Sequence, residues 1–267
     1  MTRTRGWLCL GLLCLGCQSL VSLEPGDPVE GAELLWDKGQ DAMRRGQPEE
    51  AIVFYQQSLA VNPLLVRSHL SLAAALLQQG DEAAACPHLM RYVRAHPGEL
   101  LIRIHLADLL FRLERWGEAR EELEQCVAGA QEKGEAAAGQ LLHCHAQLME
   151  VAEARRDDYA EHLNRGIGLF LLAGQRAVLP DPEGELSTEE LLCKAAGELT
   201  LAHLSHPGEA RPSWYLHEIW SCLAEHQPAL RFLRNAEASA PFTYLTPAEK
   251  RSLQLACQCE KLQRPIK

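Results

Sequence analysis

The sequence predicts an all-α chain: a solenoid of stacked helix–turn–helix units closed by a C-terminal capping helix. Three observations predict it. The composition is rich in Ala, Leu, Glu, Gln and Arg and holds only 6% aromatics, which favours helix over sheet. Small, apolar and proline residues recur every 34 residues, the period of a repeated helical hairpin. Gly and Pro punctuate the pattern where turns are needed. At 267 residues the chain is long enough to bury a sizeable core.

Residues 1–16 have the layout of an export signal, with Arg3 and Arg5 before the apolar run Trp7 to Gly16. That run is about half the length of roughly twenty residues that a membrane-spanning helix needs. Gly16-Cys17 after a leucine-rich run resembles the lipobox of bacterial lipoproteins. The resemblance implies cleavage before Cys17, lipid attachment to it, and residence in the cell envelope at a membrane. The alternative is an ordinary signal cut after a small residue such as Ser19 or Ser22, giving a secreted or periplasmic protein. Residues 17–30 then form a tether, because Glu24-Pro25-Gly26-Asp27-Pro28 cannot continue a helix.

Residues 31–133 hold three consecutive units. Ala51, Tyr55 and Pro63 recur as Ala85, Leu89 and Pro97, and Ala119 and Leu123 stand 34 further on. Gly39, Ala73 and Ala107 mark the preceding helix of each unit with the same spacing. Gly46 and Gly80 fall in the first two intra-unit turns, with Trp116 in the third. Residues 134–174 form a degenerate fourth unit with longer helices, its turn at Asp157-Asp158 and Ala160 in the small slot. A Pro/Gly loop covers 175–186. Residues 187–267 form a C-terminal helical unit: a helix opened by Ser187-Thr188-Glu189-Glu190, one further repeat over 210–241 marked by Ala229, Leu233, Ala236 and Pro241, and a last helix capped by Thr246-Pro247-Ala248-Glu249.

These small, large apolar and proline positions resemble tetratricopeptide repeats. The physical logic is that one hairpin cannot bury its own apolar stripe, so neighbouring units stack and close it. The resemblance implies a right-handed superhelix whose first helices line a concave groove that takes protein or peptide partners. On this register the partner-binding residues are Trp36, Gln40 and Met43 in the first unit, Arg67, Leu70 and Leu77 in the second, and Ile104, Asp108 and Phe111 in the third. The Lys/Asn clamp with which chaperone-binding relatives hold a terminal carboxylate is missing, since Trp36, Leu70, Ala74 and Asp108 stand in its place.

The net charge of −10 becomes more negative when Arg3 and Arg5 leave with the signal, so the body repels phosphate backbones and nucleic acid is not an expected partner. Seven cysteines lie beyond the signal region: Cys86, Cys126, Cys144, Cys193, Cys222, Cys257 and Cys259. Most stand beside Ala or Leu in helical patterns, where free Cys packs as a small hydrophobe, though an oxidising compartment would permit a disulfide or two. His143-Cys144-His145 cannot share one ion, because successive helix residues point about 100° apart. No phosphate loop, nucleophile elbow or zinc-protease motif occurs. The sequence therefore predicts no enzyme, no metal and no cofactor. It predicts a tethered or secreted adaptor that binds proteins through its groove, with a structural subunit of an envelope assembly as the alternative.

Overall fold

The computed structural model describes residues 28–178 and 186–263, and the signal, Cys17 and most of the tether lie outside these. The described residues form twelve α-helices and one 3-10 turn, with no strand among them. The first three units are the hairpins α1 (Pro28–Arg44) with α2 (Pro48–Val61), α3 (Val66–Gln78) with α4 (Glu82–Ala95), and α5 (Leu100–Arg112) with α6 (Trp116–Lys133). A 3-10 turn at Gly134–Ala137 leads to α7 (Ala138–Arg155) and α8 (Asp158–Val178). Then come α9 (Thr188–Ser205), α10 (Ala210–Cys222), α11 (His226–Ser239) and α12 (Pro247–Gln263).

Close packing explains the small residues. Ala51, Ala85 and Ala119 are fully buried on the second helix of each unit. A Cβ added to Gly39 would stand 2.4 Å from the Tyr55 ring, so only glycine lets α1 and α2 approach this closely. The Ser58 hydroxyl donates to the Ala32 carbonyl at 2.7 Å, and the Ser68 hydroxyl therefore donates to Ser58, tying α1, α2 and α3 together inside the core.

The intra-unit turns share one geometry. Gly46, Gly80, Glu114, Arg156 and Ala224 all have a positive φ of 56–80°. The residue after each donates its N–H to the carbonyl five positions back, as Gln47 does to Ala42 at 3.0 Å and Glu225 to Trp220 at 2.9 Å. This is the Schellman closure of a helix end. The third turn residue is thus Glu114, and Trp116 is the first residue of α6 and not part of the turn. The shared closure also shows that α7–α8 and α10–α11 are built like the first three hairpins.

Two boundaries differ from the sequence expectation. Helix α1 already begins at Pro28, because a proline in the first helical turn gives up an N–H that has no partner there anyway. Helix α8 runs past 174 to Val178, since nothing before Pro180 forbids another turn. The expected caps are present at both late helices. Ser187 and Glu190 form a reciprocal capping box, and Thr246 and Glu249 form another.

The apolar interior is in two parts. One runs from Ala42 on α1 to Val151 on α7, the other from Leu163 on α8 to Cys257 on α12. Helix α12 does more than cover α11. Its N-terminal end reaches α6, where Arg251 pairs with Glu132 at 2.6 Å and Thr246 donates to Gln131.

Candidate functional site

The groove predicted from the first helices of the units has a built centre where α1 meets α3. The Trp36 indole N–H and the Gln40 amide both donate to the Ser71 hydroxyl oxygen at 2.9 Å. The Tyr55 side chain also interacts with Ser71. Burial pushes the Tyr55 phenol up, and the bond from Ser71 offsets part of that. The Arg67 guanidinium lies over the Trp36 ring, 4.4 Å from its centroid, and pairs with Glu33 at 2.7 Å. The indole is thus held by its nitrogen on one side and covered by a cation on the other.

The nine residues expected to bind a partner do not all reach the surface. Arg67 is exposed, and Trp36, Gln40, Met43, Leu70, Leu77, Asp108 and Phe111 are half-buried. The apolar members of that set rest on the first core while keeping an accessible edge. Ile104 is a correction. It is only 6% exposed and belongs to the core, since α5 is packed between its neighbouring helices. Trp214, on the first helix of the later repeat, is likewise only 4% exposed, while Trp220 is half-buried.

The cysteine expectation divides. Cys86, Cys126, Cys144 and Cys257 are buried, and Cys193, Cys222 and Cys259 are exposed; all seven are free thiols. The neighbouring Cys126 thiol and burial together hold the Cys144 thiol protonated. No group of three or more His, Cys, Asp or Glu among the described residues could hold a metal ion. No described helix is long and apolar enough to cross a membrane.

Sequence reasoning missed a second polar cluster, on the boundary between the two cores. Glu249 of α12 is 3% exposed and its Oε1 accepts from Arg211 at 2.8 Å, from Tyr215 at 2.9 Å and from Gln131 at 3.3 Å. Its Oε2 accepts the Thr246 backbone N–H at 2.9 Å. Burial works against the carboxylate, but Arg211 and these donors outweigh it and the pKa of Glu249 is lowered. Nearby, Asn164 donates to the Ala160 carbonyl, so its oxygen faces His145 and takes the Nδ1 proton at 2.9 Å. His145 is fully buried, which pushes its pKa down to about 4 and keeps it neutral. One signal for this region was available: His96-Pro97-Gly98-Glu99, which closes the second unit, recurs as His206-Pro207-Gly208-Glu209. Both segments form the same turn, so α9 ends as the second helix of a unit does.

Residues 37–99 match the tetratricopeptide repeat family. The fold as a whole is a tetratricopeptide-type helical solenoid. Similar solved structures include repeats of a kinesin light chain from Podosopora anserina, at 17% identity over 90% of this chain and 100% of that one, TM-score 0.43. PilF of Pseudomonas aeruginosa is 14% identical over 86% and 99%, TM-score 0.37. MamA of Desulfovibrio magneticus is 17% identical over 81% and 97%, TM-score 0.34. These likenesses concern the fold alone. No curated protein matches the chain. Tetratricopeptide proteins typically mediate contacts between proteins.

Proposed function

We propose that this protein is an adaptor that captures a protein or peptide partner in the groove of its first three units, and that it does so from the cell envelope. The Arg67–Trp36 pair on the Ser71 network carries the reading. Trp and Arg dominate the energies of protein interfaces, and an indole already fixed by Ser71 loses little freedom when a partner covers it. Purification of the protein from its native membrane with whatever it holds is the first step. The partner recovered with wild type should bind Arg67→Glu at least about tenfold more weakly, which is roughly 1.4 kcal/mol. Arg94→Glu, on the second helix of its unit, should bind normally. Arg67 is exposed, so folding should survive the change, with circular dichroism as the check. Equal affinity in both variants moves the site elsewhere, and a partner held in fixed ratio with either variant favours a structural subunit.

The envelope location rests on Arg3, Arg5, the apolar run and Gly16-Cys17. A palmitate analogue should label wild type and leave Cys17→Ser unlabelled. A mature N-terminus beyond Cys17 overturns lipidation and leaves ordinary secretion.

A further inference from the structure

The turn residues put the hairpins in a common register. Gly46, Gly80, Glu114 and Arg156 are equivalent, because each ends the first helix of its unit with the same left-handed closure. Gln40 stands six residues before Gly46 and Ser71 nine before Gly80, and the two are bonded across α1 and α3 at 2.9 Å. The same pair of positions on α5 and α7 holds Asp108, six before Glu114, and Gln147, nine before Arg156. Helices α5 and α7 are in contact, and the Asp108 charge reaches Cys144 on α7. Here, however, the pair is open. The half-buried Asp108 carboxylate has no hydrogen bond or ion pair among the described residues, and the Gln147 carbonyl oxygen is buried without a donor. Acceptors left unmet in a partly dry place are costly, and a donor brought by a partner relieves that cost.

The surrounding charges decide the sign of that donor. On α1, α3, α5 and α7 the positions six and nine before the turn hold the acids Asp37, Asp108 and Glu150, none of them ion-paired among the described residues, and no Lys or Arg. His105 is the one basic side chain at these positions. The arginines of the first helices are already matched, Arg67 by Glu33 at 2.7 Å and Arg112 by Glu82 at 2.9 Å. Lys38 lies on the side of α1 toward α2, beside Glu50 and Phe54. The groove floor is therefore negative, and half-buried Phe111 stands one helical turn from Asp108 on the same face. A carboxylate beside an aromatic surface suits a long basic side chain, whose alkyl stem packs on carbon while its head stays polar.

We infer that the segment captured in the groove carries a lysine or arginine whose cationic head pairs with Asp108, with its stem along Phe111. This rests on the groove being the binding face and adds the chemistry of the partner. A phage-displayed library of random linear peptides, selected on the full chain, supplies the probe. Enriched sequences should carry Lys or Arg beside an apolar residue, and the strongest, made synthetically, should bind Asp108→Asn at least about tenfold more weakly than wild type. Replacing the basic residue of that peptide by norleucine should cost as much in wild type and little more in Asp108→Asn, a coupling that a merely structural Asp108 would not produce. Asp108→Lys should bind the peptide carrying Glu at that place. Ala74→Trp, at an exposed position on the floor of α3, should block binding whatever the charge of the peptide. Binding lost in Ala74→Trp but unchanged in Asp108→Asn overturns this inference and keeps the groove, and unchanged affinity in both variants overturns the two together. Should Asp108→Asn not fold, the norleucine peptide decides alone: equal affinity in wild type overturns the inference. So does selection of acidic or neutral peptides, or of none.

Discussion

The first three units and the C-terminal half share a helical architecture but are held together differently. Between α1 and α6 the helix crossings rest mainly on alanine, glycine and leucine, with Ala51, Ala85 and Ala119 buried where helices cross and isolated polar pairs such as Ser58–Ser68 and Arg103–Glu122 set among them. Between the two halves lies a polar layer of two hydrogen-bonded groups, Gln131, Arg211, Tyr215 and Glu249 in one and His145 with Asn164 in the other, with a cavity beside it. An apolar crossing tolerates many similar sequences but not much extra volume. A buried polar layer depends on the pairing of its charges and donors, so it specifies one arrangement of the halves and fails sharply when a member is removed.

The comparison is broken most directly at the polar layer. Glu249→Ala leaves the Arg211 charge buried and unpaired, and should cost about 3–5 kcal/mol in denaturant unfolding. Because the folded pKa of Glu249 is lowered, its contribution is present above the unfolded carboxylate value and should fade as pH falls through the folded one. A loss under about 1 kcal/mol would mean that the layer is not what joins the halves.

The apolar crossings of the first half should respond to volume. Ala85→Leu should overpack the α3–α4 crossing and cost about 1–3 kcal/mol, whereas Glu49→Ala, on the exposed side of α2, should stay within about 0.5 kcal/mol. An unchanged melting temperature for Ala85→Leu would put the small-residue register in error.

The smallest effect sharpens the contrast at the turns. The first two turns place Gly at the left-handed position, and the later three use Glu114, Arg156 and Ala224. Gly80→Ala should cost about 1 kcal/mol, while Glu114→Gly should gain somewhat less, because glycine loosens the unfolded chain and offsets part of the relief. Equal and opposite shifts, or none, would show that the third turn is not strained in the way its φ of 56° implies.

The sequence by itself determined the repeat, its hairpins and most of the helix caps. Those features depend on residues one to four apart or on a fixed period, and local propensity and steric size act at that range. It marked the groove by register but could not tell which groove positions neighbouring helices cover, and so Ile104 was expected at the surface though it is buried in the core. It was silent on the polar layer. Gln131 and Glu249 are 118 residues apart and meet only because α12 turns back onto α6, so nothing in their local spacing distinguishes them from solvated helix residues. Only the tertiary structure decided that Glu249, which reads in sequence as an ordinary first-turn cap, is also the buried acceptor that joins the two halves, because desolvation gives a charge its structural weight and desolvation depends on what packs around it.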